Sequence, residues 1–157
     1  MRISIVLLCM LIINEFYLNP PDLENIEDQT RQKVGNYQVN KKAYFASGCF
    51  WCVEHIFESL VGVNEVYSGY SGGETKNPTY YEVIRGKTGH AESVEVVYDP
   101  KVISFMTLIK VFFESHDPTL IDQQGPDKGT HYRSIAFYQN LDEKKVIQEY
   151  IKKLEFE

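Results

Sequence analysis

The chain has 157 residues, enough for one domain with a real core. Its apolar fraction of 43% is ordinary for a soluble globular protein and excludes wholesale disorder. A net charge of −6 with no basic stripe argues against nucleic-acid binding, and three cysteines are too few for a disulfide scaffold, which leaves a catalytic or redox pair plus one spare.

Met1-Arg2 followed by the apolar run Ile3 to Ile13 has the form of a signal-peptide core, too short to span a bilayer comfortably. We expect residues 1–18 to be a signal peptide or N-terminal anchor and the protein to be exported or held in the cell envelope (periplasmic). The alternative is an N-terminal helix packed on a cytoplasmic domain. Cys9 reads as part of the apolar run. Residues 19–40 are polar, carry Pro20-Pro21 and show no apolar period, so they read as a linker. The folded domain is expected over 41–157.

A short strand, Ala43 to Ala46, leads into Ser47-Gly48-Cys49-Phe50-Trp51-Cys52. Val53, Ile56, Phe57 and Leu60 then share one face of an amphipathic helix that Gly62 is placed to end. Cys49 therefore sits at a helix N-terminus, where unpaired N–H groups and the helix dipole favour a thiolate, the nucleophilic form of cysteine. The rings of Phe50 and Trp51 beside it suggest an apolar slot for a small substrate group. Val63 to Tyr67 reads as a strand and Ser68 to Gly73 as a loop. A phosphate cradle there lacks a Walker lysine or Rossmann spacing. Asn77 to Tyr81 reads as a turn, followed by a short helix to Ile84.

His90-Ala91-Glu92 opens the next strand, on which Glu92, Val94, Val96 and Tyr98 share a face. If the valines are buried, Glu92 points inward, and burial would keep it partly protonated, as a general acid requires. Phe105, Leu108, Ile109, Phe112 and Phe113 mark a core helix capped by Ser104 and stopped at His116-Asp117-Pro118. Ile121 to Thr130 reads as a polar loop and Tyr132 to Tyr138 as a strand. A last amphipathic helix follows, with Asn140 and Glu143 as a capping box. Strands and helices alternate, so helices should flank a small mixed sheet.

These blocks are Gly48-Cys49-Phe50-Trp51, Tyr70-Ser71-Gly72-Gly73, Asn77-Pro78-Thr79-Tyr80, Gly89-His90-Ala91-Glu92, His116-Asp117-Pro118 and Gly129-Thr130-His131-Tyr132-Arg133-Ser134. In this order they resemble the peptide methionine sulfoxide reductase A family, from about Lys42 to the C-terminus. The resemblance implies an α/β (α+β) sandwich of ferredoxin-like type and reduction of the S epimer of methionine sulfoxide, free or in proteins. It implies Cys49 as nucleophile, Phe50 and Trp51 around the substrate methyl, and Glu92, Tyr80 and Tyr132 around the sulfoxide oxygen. Asp127 matches an acidic position that helps bind substrate. For Tyr70 and Tyr81 core packing remains the expectation.

The family often has Gly where this chain has Cys52 and often carries its resolving cysteine near the C-terminus; no Cys follows Cys52 here. The expectation is that Cys52 resolves Cys49 in a Cys-x-x-Cys pair recycled by a thioredoxin-like dithiol reductant. Pro126 and His131 stand where Asn and Gln are common. A monomer without cofactor or metal is expected. Two other readings remain open: a general disulfide oxidoreductase, and a zinc-binding module using Cys49, Cys52 and His55 with His90 or His131.

Overall fold

The computed structural model describes residues 39–155. The expected leader, Cys9 and all of the linker up to residue 38 lie outside them. Strand β1 (Lys41–Ala46) alternates as its sequence dictates, with Ala43 and Phe45 buried and Lys42 and Tyr44 on the other face. Helix α1 (Phe50–Glu58) buries Phe50, Val53 and Phe57. It stops one turn short of the expected end. Gly62, at φ 99°, does not cap it but lets the following turn close against Val102 and Ile103, whose side-chain carbons stand 2.8 Å from where a Cβ would lie.

Strand β2 (Val63–Ser71) is longer than its local sequence suggests. Ser68 to Ser71, expected as loop, stays in the ladder because β3 (Ala91–Tyr98) supplies partners throughout, ending with Tyr70 opposite Glu92 and Ser71 opposite Ala91. Between them, α2 (Tyr80–Ile84) starts with a capping box in which the Thr79 hydroxyl accepts from the Glu82 N–H and the Glu82 carboxylate accepts from the Thr79 N–H at 2.8 Å. Helix α3 (Phe105–Glu114) is capped by Ser104 as expected.

The sheet order is β2-β3-β1-β6, β6 being the short strand Ile135–Ala136, and all three ladders are antiparallel. The mixed sheet expected from alternating elements is thus corrected to an antiparallel one. Strands β1 and β2 run in the same direction, but β3 is inserted between them, so no parallel pair is adjacent. This is the split β-α-β arrangement of ferredoxin-like sandwiches. Helices α1 and α3 cover one face, where Phe45 stacks between Phe57 (4.9 Å) and Phe112 (5.1 Å). The last helix, α4 (Leu141–Leu154), packs on α3 through Tyr150 and Phe113 at 5.5 Å. Its cap is Asn140, but the Glu143 carboxylate bonds the Gln139 N–H (2.7 Å) rather than closing a capping box.

The expected strand Tyr132 to Tyr138 shrinks to β6. Beyond Ala46 the edge of β1 has ended, so Thr130–Tyr132 coils into a 3-10 turn instead. The expected loop before it holds a two-rung hairpin, β4 (Gln123–Gln124) and β5 (Asp127–Lys128). Among the described residues no helix is long and apolar enough to cross a membrane.

Candidate active site

The site forms where β1 turns into α1. Gly48 adopts φ 90°, and a Cβ on it would lie 2.8 Å from Gln124 Cβ, so the β4–β5 hairpin presses directly against the turn. Cys49 takes the N-cap position in an extended conformation (φ −61°, ψ 118°), and its carbonyl accepts the N–H groups of Cys52 (3.1 Å) and Val53 (3.2 Å). Its side chain makes no capping hydrogen bond and is half-buried. Cys49 thus stands at the helix start, where the sequence reading expected it.

Glu92, the second residue of β3, is 2% exposed. Its Oε2 accepts the Phe50 N–H at 3.1 Å, so the first amide of α1 holds the carboxyl against the turn that carries Cys49. Burial pushes its pKa up, the Phe50 N–H opposes this, and the charge of Asp127 adds to the rise; the net direction is upward. Tyr132, in the 3-10 turn, is pushed up to about 12, first by burial and then by the charges of Glu92, Asp127, Tyr80 and Cys49.

The aromatic residues line the approach. Phe50 is buried with its ring 5.2 Å from Trp51, and Trp51 stacks on Tyr80 at 6.4 Å. Tyr70, read from sequence as core packing, does pack on the core but also lies 5.8 Å from Phe50, and burial followed by the Glu92 charge raises its pKa. Its proximity to Glu92 follows from the β2–β3 register, which becomes visible only once Ser68 to Ser71 is recognised as strand. Tyr81 is exposed and only edges onto Tyr80.

Cys52 is exposed at the third position of α1. Its thiol is pushed up first by the charge of Cys49, then by burial, by a hydrogen bond with Cys49 and by Asp127. The zinc reading finds no support in donor geometry: among the described residues no three His, Cys, Asp or Glu side chains are grouped to hold a metal ion. His55 is exposed, and His90 engages the Gly73 N–H (3.2 Å) and the Thr75 carbonyl (2.9 Å). His131 is buried against Tyr132, ring centroids 4.0 Å apart, with Nδ1 unpartnered and its pKa lowered by burial.

Comparison with known proteins gives these residues a family. Residues 41–157 match the family described as peptide methionine sulfoxide reductase. A relative of that name, MsrA, from Natronomonas pharaonis is 50% identical over 113 residues, 72% of this chain and 64% of the relative. MsrA 1 of Rhodopirellula baltica is 44% identical over 135 residues, 86% of this chain and 67% of the relative. Methionine sulfoxide reductase A of Corynebacterium diphtheriae superposes with a TM-score of 0.68 at 36% identity, over 76% of this chain and 59% of that one. Reduced Mxr1 of Saccharomyces cerevisiae gives 0.66 at 36% identity, over 73% and 70%. The chain spans less than two thirds of the first of these relatives, 64% of its length. With its split β-α-β sheet and its Cys49–Glu92 turn, the chain belongs to the peptide methionine sulfoxide reductase family.

Proposed function

We propose that the chain reduces the S epimer of methionine sulfoxide, free or in proteins, and so repairs oxidised proteins. The observation that carries this is the buried Glu92 carboxyl, tied to the Phe50 amide beside Cys49 and biased toward its protonated form. A sulfoxide sulfur is electrophilic, but its oxygen leaves only if charge developing on it is met by a proton. In the proposed step the Cys49 thiolate attacks sulfur, Glu92 gives its proton to the oxygen, and the hydroxyls of Tyr80 and Tyr132 donate hydrogen bonds to that oxygen. Phe50 and Trp51 receive the substrate methyl, and Asp127 orients the substrate. Methionine leaves reduced by two electrons, and Cys49 is left as a sulfenic acid. The Cys52 thiol condenses with it, forming a Cys49–Cys52 disulfide and releasing water. A thioredoxin-like dithiol then returns both cysteines to thiols. Disulfide exchange alone would leave Glu92 and the tyrosines without a task.

The decisive experiment is turnover of separated S and R epimers with a dithiol, using wild type, Cys49→Ser and Cys52→Ser. S-only turnover abolished in Cys49→Ser, with one methionine released per Cys52→Ser molecule and no disulfide formed, is the expected result. Insulin reduction without sulfoxide turnover would overturn it. We further propose an exported or cell-envelope monomer, from the charged start and apolar run Met1 to Ile13; fractionation with sizing of the product checks this.

A further inference from the structure

The three groups proposed to meet the sulfoxide oxygen come from three segments: Glu92 from β3, Tyr80 from α2 and Tyr132 from the 3-10 turn. Their spacing depends on what ties those segments together. Each tie leads to Thr88-Gly89-His90, the stretch that enters β3. Glu92 is joined to it by the chain itself. We propose that Arg133 and His90 are positioning residues for the reduction, Arg133 fixing the turn of Tyr132 and His90 fixing the loop that leads to Tyr80, both relative to the Glu92 carboxyl. The proposal deepens the reductase reading above and rests on it.

Arg133 closes the 3-10 turn. Its Nη1 donates to the Thr130 carbonyl at 2.7 Å, inside that turn, and its Nη2 donates to the Gly89 carbonyl at 2.9 Å. A guanidinium is planar and carries N–H groups on separate nitrogens, so one side chain holds two acceptors in fixed relation. An ammonium is a point charge and does not reproduce that fork. Both bonds end on backbone oxygens, so Arg133 acts on the reacting atoms through the turn, whose last residue is Tyr132. The clamp joins two segments whose site groups already sense each other: the charge of Glu92 helps raise the Tyr132 pKa.

His90 makes the second tie. Its Nδ1 accepts the Gly73 N–H at 3.2 Å, which leaves Nε2 to carry the hydrogen and donate to the Thr75 carbonyl at 2.9 Å. Between these two, the Glu74 N–H donates to the Thr88 carbonyl at 3.3 Å, and the His90 N–H donates to the Thr88 hydroxyl at 3.2 Å. The loop lies tight against the entry to β3: a Cβ on Gly73 would stand 2.4 Å from the His90 backbone nitrogen and 2.5 Å from the Thr88 carbonyl oxygen. From Thr75 the chain runs on to Thr79, the cap that starts α2 at Tyr80.

The test is single-turnover release of methionine from the S sulfoxide by the full chain, followed by rapid quench for variants alone and in pairs. Misplacing a positioned group by about 1 Å can cost about 10²-fold, so Arg133→Ala and His90→Ala should each slow release about 10–100-fold. Added to Tyr132→Phe, Arg133→Ala should cost no more than about twofold, and added to Tyr80→Phe its full amount; His90→Ala should show the reverse. A general loosening of the fold would act alike in both backgrounds. Arg133→Lys keeps the charge and loses the fork, so it should be slowed like Arg133→Ala. His90→Asn, whose carbonyl can take the Gly73 N–H, should recover part of the rate. These two variants also serve in the pairs where an alanine variant does not fold. Equal cost of the Arg133 or His90 substitution in both tyrosine backgrounds, the opposite pairing, or a wild-type rate in Arg133→Lys would overturn the proposal while leaving the reductase reading intact. No methionine release by wild type would overturn that reading and this proposal with it.

Discussion

Gly48→Ala tests the geometry that places Cys49. At φ 90° an L-residue carries strain of about 1–3 kcal/mol. The new Cβ would also stand 2.8 Å from Gln124 Cβ, an atom fixed to the β4 backbone rather than the end of a flexible side chain. Relieving such an overlap costs a further ~1–3 kcal/mol. The stiffer unfolded chain returns ~0.4–1 kcal/mol. The net loss is about 3 kcal/mol, which for a domain of this size lowers Tm by roughly 10 °C. The hairpin must back away to admit the methyl group, and it carries Asp127, so the KM for sulfoxide should rise as well. Calorimetric melts of Gly48→Ala, Gln124→Gly and the double variant separate the two contributions. Removing the Gln124 Cβ relieves the overlap but not the backbone strain, so the cycle should show a favourable coupling of about 1 kcal/mol or more. Wild-type stability in Gly48→Ala, or strict additivity in the double variant, would refute the reasoning.

Glu92→Gln should slow methionine release by ~10²–10⁴-fold in rapid quench, since the proton donor is lost while the carbonyl can still accept the Phe50 N–H. Its stability should move the other way. Burial raises the folded-state pKa of Glu92 above the unfolded value, so folding is favoured at low pH and loses stability as pH rises through the folded value. The uncharged variant escapes that loss, so melts should show it gaining on wild type toward alkaline pH and converging with it in acid. Tyr132→Phe removes a hydroxyl that stays protonated until pH approaches about 12. Turnover should fall about 10–100-fold with no change in the shape of the pH–rate profile through the ordinary tyrosine value of 10.0. Phe45→Ala, at a fully buried ring stacked on Phe57 and Phe112, should cost about 3–5 kcal/mol in urea unfolding.

What could be read from the sequence was whatever one element decides alone. The period of Val53 and Phe57, the Ser104 cap and the alternation from Glu92 to Tyr98 are properties of single segments, and each stands in the structure where it was expected. The inward direction of Glu92 needed only that alternation. What escaped depended on partners. Ser68 to Ser71 has loop composition and becomes strand because β3 runs beside it. Tyr132 to Ser134 alternates like a strand and coils because β1 has run out. The antiparallel sheet follows from β3 entering between β1 and β2, a choice no local pattern records. Tyr70 escaped for the same reason: only the β2–β3 register sets it opposite Glu92. Asp127 and Tyr132 could be named from family resemblance, but their meeting with Cys49 depends on how the hairpin packs on Gly48.

The chain has one tryptophan, and it stands in the slot proposed for the sulfoxide, 64% exposed and between the rings of Phe50 and Tyr80. Indole emission therefore comes from a single place and carries almost nothing about the interior, because unfolding moves Trp51 from water to water. What it records is occupancy. In the proposed mode of binding, a substrate methyl seated against the ring would exclude solvent from the indole and shift its emission to the blue, and release would return it. Trp51 would thus serve as an optical gauge of the proposed binding step, separate from any signal of folding.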